Sequence, residues 1–191
     1  MDNRLDMGRF YRELSSEHIE FIRAQRMFFV ATAPSGEAGR INLSPKGYES
    51  LRVIDPRTVA YVDYPGSGNE TANHLRENGR LTFMWCSFEA KPLILRTYGP
   101  GRAVEKTSSE FGQLMARHFA QIPLRTTRQL IVQSIEAVQT SCGAGVPMYQ
   151  YLGERENLRK WADEQAQKGT LEEYIRNNAS RSEEKFPLSG T

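Results

Sequence analysis

The residues whose types and spacing could do chemistry lie in a turn that follows a predicted strand. Val59 to Asp63 has the aromatic and β-branched composition of a strand, and Pro65-Gly66 predicts a reversal of the chain. Ser67 followed three residues later by Glu70 is typical of a capping box, so we expect a helix that begins at Ser67 and ends at Gly79. The N–H groups at such a terminus bind anions, phosphate above all. The turn therefore predicts either a phosphate site or only a capped surface helix.

Two basic residues on another predicted strand could complete this anion site. Arg40 to Ser44 alternates polar and apolar residues, which predicts a strand that forms a hairpin with Met27 to Thr32 and ends at Pro45-Lys46-Gly47. In a small barrel the two cations could lie near the helix N-terminus, Arg40 binding phosphate through two hydrogen bonds and Lys46 acting as a point charge. Taken singly, each residue fits an exposed basic side chain better.

The elements that must position these residues are mostly short strands joined by tight turns. Further strands are predicted at Leu51 to Val53, Thr58 to Asp63, Arg80 to Phe88 and Leu93 to Val104. This pattern favours a small antiparallel barrel over a parallel α/β sheet. Helices are predicted from Ser15 or Ser16, from Ser108 or Ser109 to Phe119, and from Glu154 to Ile175, the last with Leu158, Trp161 and Ala162 on its buried side. Arg128 to Thr140 fits a helix or a strand.

Composition excludes several classes of function. The chain has 191 residues and a net charge of +2, which is too small to favour nucleic acid as a partner. No segment is long and apolar enough for a membrane span, and the charged N-terminus lacks the apolar core of a secretion signal. Cys86 and Cys142 form neither a disulfide framework nor a metal cluster, so a cytoplasmic location is expected. No Ser/His/Asp arrangement or metal-ligand spacing is present, and His74 is interpreted as a surface or packing residue.

Several segments, in order, resemble the pyridoxamine 5′-phosphate oxidase-related FMN-binding proteins. The likeness covers about residues 27 to 161. It rests on Gly39 to Gly47, Asp55 to Tyr61, Gly66 to Thr71, Arg80 to Glu89, Ile94 to Gly99 and Thr140 to Pro147. The resemblance implies a mainly β fold with flanking helices, namely an antiparallel, Greek-key-like split β-barrel that forms a homodimer and binds FMN in a groove at the dimer interface. It also favours a strand for Arg128 to Thr140.

The resemblance also assigns roles to residues of the predicted site. The turn Ser67-Gly68-Asn69 and Thr71 would hold the FMN phosphate, and Asn42 to Lys46 would lie along the flavin ring, with Lys46 near its pyrimidine edge. The loop Ser141 to Pro147 is similar to the family's glycine-rich segment that faces the flavin, although Ala144 replaces the expected aromatic residue. The candidate cofactor-binding residues are Arg40, Asn42, Leu43, Ser44, Pro45, Lys46, Asp63, Tyr64, Ser67, Gly68, Asn69, Thr71, Gly143 and Gly145.

The sequence therefore predicts a single split-barrel domain over residues 1–179, with a C-terminal helical segment and a flexible tail over residues 180–191. Its predicted function is FMN-dependent oxidation or reduction of an unidentified small molecule, with NAD(P)H as a candidate electron donor. The oxidase's Arg-x-His segment for substrate has no counterpart, since no histidine follows His118, so pyridoxamine phosphate is not the expected substrate. The alternatives are a carrier or sensor that binds flavin, deazaflavin or haem without turnover, and an interaction domain with an empty barrel.

Overall fold

A computed structural model of the chain describes residues 8–36 and 39–179. The described strands are β1 (Phe10–Tyr11), β2 (Phe28–Thr32), β3 (Asn42–Lys46), β4 (Leu51–Asp55), β5 (Thr58–Asp63), β6 (Arg80–Cys86), β7 (Ile94–Glu105), β8 (Gln129–Ser134) and β9 (Ala137–Ser141). The described helices are α1 (Ser16–Ala24), α2 (Glu70–Asn78), α3 (Ser109–His118), α4 (Asn157–Gln167) and α5 (Leu171–Ala179), with a 3₁₀ turn at Leu124–Thr126. The predicted flexible tail, residues 180–191, lies outside the described residues.

The strands form one antiparallel sheet that curls into a half-barrel, which confirms the predicted mainly β fold with flanking helices. The hydrogen-bonded order is β3-β2-β6-β7-β8-β5-β4, and β9 pairs with both β7 and β1. The long strand β7 pairs with β6 through Ile94 to Pro100, with β9 through Ile94 to Tyr98, and with β8 through Gly101 to Glu105. Near the change of partner, Gly99 has a φ of 154°, and a Cβ there would collide with the Ser134 carbonyl oxygen, so the close approach requires glycine.

The core lies on both faces of β5, which explains the unbroken apolar run in that strand. Inside the barrel, four large aromatic side chains pack against each other at edge or tilted angles, namely Phe28, Tyr61, Phe83 and Trp85. On the other face, α3 places Phe111 and Met115 against Ala60 and Val62 of β5. A strand that is buried on both faces holds its terminal residues firmly, and two candidate site residues, Asp63 and Tyr64, stand at its end.

Most of the predicted elements are confirmed, and two predicted boundaries are wrong. Helix α2 begins at Glu70 with Asn69 as its N-cap, so Ser67 is not the cap and the predicted capping box is absent. Gly79 does end this helix in the left-handed conformation, with a φ of 68°. Strand β3 continues through Pro45 and Lys46 rather than ending there, since an edge strand tolerates the missing N–H of proline.

The structure also gives the secondary structure of two segments that the sequence left ambiguous or predicted only in part. The residues from 128 to 140 contain two strands, β8 and β9, as the family resemblance favoured. The C-terminal helical segment is two helices, α4 and α5, joined by packing of Trp161 against Tyr174 at 4.7 Å between ring centroids. The short strand β1, which pairs with β9, was not expected because two residues carry no periodic signal.

Candidate functional site

One row of polar side chains follows the inner side of the edge strand β3. Along this strand Asn42, Ser44 and Lys46 are half-buried, whereas Leu43 and Pro45 are exposed on the opposite side. The Ser44 hydroxyl donates a hydrogen bond of 3.0 Å to the Asn42 side-chain oxygen, Oδ1. Because side chains alternate along a strand, the odd and even positions of the predicted stretch Asn42 to Lys46 have different surroundings.

The first residue of this row connects β3 to the first turn of helix α2. The Asn42 amide nitrogen, Nδ2, donates a hydrogen bond of 3.0 Å to the hydroxyl of Thr71, and it also lies 3.4 Å from the hydroxyl of Thr32. The Thr32 hydroxyl lies 3.0 Å from Nδ1 of His74. His74 is therefore a half-buried packing residue with a polar partner, and Asn42 and Thr71 belong to one hydrogen-bonded group.

The last residue of the row contacts a buried carboxylate. The Lys46 ammonium lies 3.6 Å from Oδ1 of Asp63, whose side chain is only 3% exposed. The other carboxylate oxygen, Oδ2, accepts hydrogen bonds of 2.6 and 3.0 Å from the Arg128 guanidinium and one of 2.9 Å from the Gln129 amide. Burial alone would raise the pKa of Asp63, but the two cations and the Gln129 hydrogen bond hold that pKa below its ordinary value. Asp63 is therefore a charged carboxylate within the fold.

Arg128 and Gln129 also hold the turn that precedes helix α2. Nη1 of Arg128 donates a hydrogen bond of 2.7 Å to the Gly68 carbonyl oxygen, and the Gln129 amide donates one of 2.9 Å to the side-chain oxygen of Asn69. Since that oxygen faces Gln129, Asn69 makes no side-chain cap hydrogen bond to the helix. The N–H groups in the first turn of α2 are therefore not capped by Asn69, which favours an external acceptor such as an anion.

A carboxylate lies against this same turn. A Cβ placed on Gly68 would collide with both carboxylate oxygens of Glu70, so the Glu70 side chain folds back over the turn. This negative charge opposes an anion at the helix N-terminus. An anion could bind there only after the half-buried Glu70 side chain rotates away from Gly68.

The structure thus brings seven of the fourteen predicted site residues into two hydrogen-bonded or ion-paired groups, which meet at the start of α2. They are Asn42, Ser44, Lys46, Asp63, Gly68, Asn69 and Thr71. Two further residues of this network, Arg128 and Gln129, were not predicted. The sequence offers one indication of them: they are two long polar residues directly before the apolar run Leu130 to Val132. We call these nine residues the polar network.

The other predicted residues lie around the network or apart from it. Arg40 and Ser67 are exposed at its two ends, and Leu43 and Pro45 point to the outer side of β3. Tyr64 belongs to the apolar cluster on the opposite face of β5 from Asp63. Gly143 and Gly145 lie in a turn after β9, and the sheet order places β2, β6 and β7 between that strand and β3. Within one protomer these two glycines are not part of the polar network.

The described residues contain neither a metal-binding group nor a membrane-spanning helix. Among residues 8–36 and 39–179, no group of three or more His, Cys, Asp or Glu side chains is arranged to hold a metal ion. In the same part of the chain, every helix is too short or too polar to cross a bilayer.

Comparison with known proteins identifies the family. The family model described as pyridoxamine 5′-phosphate oxidase matches residues 14–142. The chain is 38% identical over 192 residues to the pyridoxamine 5′-phosphate oxidase family protein ustO of Aspergillus flavus, covering 93% of this chain and 76% of that protein.

Two solved structures have a similar fold. HupZ of Group A Streptococcus gives a TM-score of 0.54 at 16% identity, covering 69% of this chain and 100% of that chain. A candidate pyridoxamine 5′-phosphate oxidase from Lactobacillus delbrueckii gives a TM-score of 0.53 at 13% identity, covering 67% of this chain and 94% of that chain. These two likenesses show the split-barrel fold alone. Together with the match of the family model over most of the chain and the similarity to the Aspergillus protein, they show that this chain belongs to the pyridoxamine 5′-phosphate oxidase family.

Proposed function

We propose that this protein is an FMN-dependent oxidoreductase that acts on a small molecule. One structural observation carries the proposal: the inward row of β3 continues, through the Asn42–Thr71 hydrogen bond, to a helix N-terminus without a side-chain cap. A phosphorylated, planar cofactor needs both parts, namely N–H donors for its phosphate and a polar strand beside its ring. The match to the pyridoxamine 5′-phosphate oxidase family favours FMN as that cofactor.

The residues present fit an FMN phosphate. In the proposal the phosphate is held by Ser67, by the turn through Gly68 and Asn69, and by Thr71 with the N–H groups of the first helical turn. The Arg128 guanidinium, which is paired with Asp63, holds this turn in place through its hydrogen bond to the Gly68 carbonyl oxygen. Glu70 has to rotate away from Gly68, which its partial exposure allows. Arg40, exposed where β3 begins, is a further candidate for the phosphate.

The side chains of β3 would orient the flavin ring. Bound FMN would supply the two-electron chemistry, and the protein would supply position and charge. Lys46 would hold a positive charge at the pyrimidine edge of the ring, and the Asp63 carboxylate at 3.6 Å would fix the direction of that ammonium group. Ser44 and Asn42 would present hydrogen-bonding groups further along the same edge. NAD(P)H is the proposed electron donor, and no residue is proposed as an acid or base.

We also propose that the protein is a homodimer whose two protomers contact each other through the outer face of the sheet. Large side chains that stand on this face are exposed, with Leu43 61% accessible and Phe10 65% accessible. The strand register places Pro45, Phe29 and Met84 side by side on the same face. Burial of such a face against a second copy would stabilise a dimer through the hydrophobic effect. The turn with Gly143 and Gly145 would then reach the cofactor of the other protomer.

The first test is the visible spectrum of the purified protein, followed by mass identification of any molecule released on denaturation. Released FMN, together with oxidation of NADH or NADPH in the presence of a candidate acceptor, is the expected result. Bound FMN without turnover, tested over a panel of donors and acceptors, would instead support a carrier or sensor. A colourless protein that fails to bind added FMN, deazaflavin or haem would contradict the proposal.

A further inference from the structure

A cavity of about 430 Å³ lies on the other side of β5 from the polar network. It opens to solvent and is lined by the turn between β3 and β4, by Tyr64 at the end of β5, by the segment around Ile122 and Pro123, and by helix α4. The apolar side chains of this wall continue the cluster that packs beneath α3. A cavity of this size holds a small organic molecule.

The cavity contains an arginine that lies beside two tyrosine rings in contact with each other. The Arg159 guanidinium carbon lies 4.5 Å from the ring centroid of Tyr48 and 6.0 Å from that of Tyr64. Nη2 of Arg159 donates a hydrogen bond of 2.5 Å to the Tyr48 carbonyl oxygen, and the Tyr48 hydroxyl donates one of 2.6 Å to the Arg155 carbonyl oxygen. The Tyr48 and Tyr64 rings meet edge to face at 78°, so the guanidinium lies over the nearer Tyr48 ring and also hydrogen-bonds the Tyr64 side chain. Its N–H groups that have no partner among these contacts can bind a ligand.

The charged side chains that line the cavity differ in whether they have an ion-pair partner among the described residues. The Arg125 guanidinium lies 2.6 Å from the Asp163 carboxylate, and Glu49 is paired with Arg26 at 3.4 Å. Among the described residues, Arg159 forms no ion pair with a carboxylate within 4 Å, although it is half-buried beside the cavity. A half-buried guanidinium without a carboxylate partner attracts an anion, and its fork-like geometry matches a carboxylate group.

The backbone beside Arg159 is strained, and its contacts with α4 maintain the strain. Tyr48 and Glu49 are consecutive non-glycine residues in the left-handed region, with φ angles of 62° and 53°. A non-glycine residue in this conformation is strained and persists only where surrounding contacts determine it. Here those contacts are the hydrogen bonds of Tyr48 with Arg155 and Arg159. The tyrosine ring is thus held in place at the cavity before a ligand binds.

We propose that this cavity is a binding site for a small carboxylate with a flat apolar body. The carboxylate pairs with the Arg159 guanidinium, and the apolar body packs against the ring of Tyr64 and against Ile122 and Pro123. The Tyr64 hydroxyl is protonated at neutral pH, as in any tyrosine, and burial raises its pKa further, so it can donate a hydrogen bond to the ligand. Since Tyr64 and Asp63 face opposite sides of β5, this site does not rest on the proposed FMN site.

The test uses benzoate as the probe and benzamide as its uncharged counterpart. Both are titrated into the full-length protein while backbone amide shifts are followed by NMR. With benzoate we expect saturable shifts at Tyr48, Tyr64 and Arg159. The expected Kd is on the order of 1 mM, because a ligand with few atoms gains little binding free energy. Equal affinity for benzamide, shifts confined to other parts of the protein, or no shift at all would overturn the proposal.

Two variants and one control locate the carboxylate. Arg159→Gln should weaken benzoate binding about tenfold or more, as loss of a charged hydrogen bond predicts. Arg155→Gln removes an exposed arginine that does not line the cavity, so an equal loss there would contradict the assignment. Tyr64→Ala leaves the Arg159–Tyr48 contact intact and should also weaken binding, while unchanged affinity would contradict stacking on Tyr64. Flavin affinity should be the same in Arg159→Gln and Arg155→Gln, which separates this site from the FMN site.

Discussion

Lys46 and Asp63 join two strands that are distant in the sheet. Four strands, β2, β6, β7 and β8, separate β3 from β5 in the hydrogen-bonded order, yet the Lys46 ammonium lies 3.6 Å from the Asp63 carboxylate. The curl of the half-barrel brings the two side chains together. Asp63 also binds Arg128 and Gln129, so one buried carboxylate connects the edge strand, the end of β5 and the turn before α2.

Asp63→Asn should destabilise the fold strongly. The variant leaves the Arg128 side chain, which is 9% exposed, without its anionic partner. Breaking a buried ion pair by removing one partner typically costs about 3–5 kcal/mol. Urea denaturation measures the free energy of unfolding. The control Glu172→Gln removes the partner of Lys106 in an exposed ion pair and should cost about 1 kcal/mol or less. A similar loss in both variants would contradict the role of Asp63.

The contribution of Asp63 should depend on pH in a defined direction. Its pKa is below the ordinary value in the folded protein, so its stabilising effect is present above the unfolded pKa of about 3.9 and is lost as the pH falls through the folded pKa. The difference in unfolding free energy between wild type and Asp63→Asn should therefore shrink below about pH 4. Denaturation curves at several pH values measure this difference. A difference that stays constant down to acid unfolding would contradict the pKa assignment.

His18 should make the stability of helix α1 sensitive to weakly acidic pH. Its Nδ1 accepts a hydrogen bond of 3.2 Å from the Ser15 N–H in a capping box, which requires the neutral ring. Burial lowers the pKa of His18, so stability should fall as the pH drops below about 6.5, where the unfolded state takes up the proton. His18→Gln keeps an acceptor and should remove this dependence, measured by thermal unfolding between about pH 5 and 8. An identical pH profile in the variant would show that other groups cause it.

Glu70→Gln should strengthen FMN binding. Its carboxylate folds over Gly68 at the helix N-terminus, where the phosphate is proposed to bind. Removing one negative charge near the phosphate is worth about 1 kcal/mol near the surface, or roughly fivefold in affinity. Flavin fluorescence titration measures this change. Glu77→Gln, at the other end of the same helix, is the matched control and should leave the affinity unchanged. Equal or weaker binding by the Glu70 variant would place the phosphate elsewhere.

Leu43→Glu should convert the proposed homodimer into a monomer. The substitution places a charge on the outer face of β3, where the side chain is 61% exposed in the single chain. A carboxylate buried at an interface without a partner is strongly unfavourable. Sedimentation equilibrium gives the mass of each variant. Leu124→Glu, on the 3₁₀ turn and 55% exposed, is the control and should remain dimeric. If both variants have the wild-type mass, the outer face of the sheet is not the interface.

Local chemistry in the sequence determined most of the elements of this protein. The alternation of apolar residues predicted the β2–β3 hairpin, and Gly79 marked the end of α2 because left-handed backbone favours glycine. The cap of that helix was misplaced, since Ser67 and Glu70 satisfy a local rule whereas the helix begins one residue after Asn69. Gln129, 60 residues further along the chain, binds the Asn69 side chain, and no local rule contains that contact.

Only the tertiary structure decided which polar residues form a site. The sequence and the family resemblance could propose Asn42, Lys46 and Thr71, but Arg128 became part of the network because β8 pairs with β5 in the register that sets Gln129 opposite Asp63. Arg159 and Tyr48 are 111 residues apart, and their contact depends on how α4 packs against the 3₁₀ turn at Leu124–Thr126. Secondary structure follows from neighbours in sequence, whereas charge pairing and cavities follow from neighbours in space. The sequence by itself therefore determined the strands, the turns and the family resemblance, and the packing determined the contacts between them.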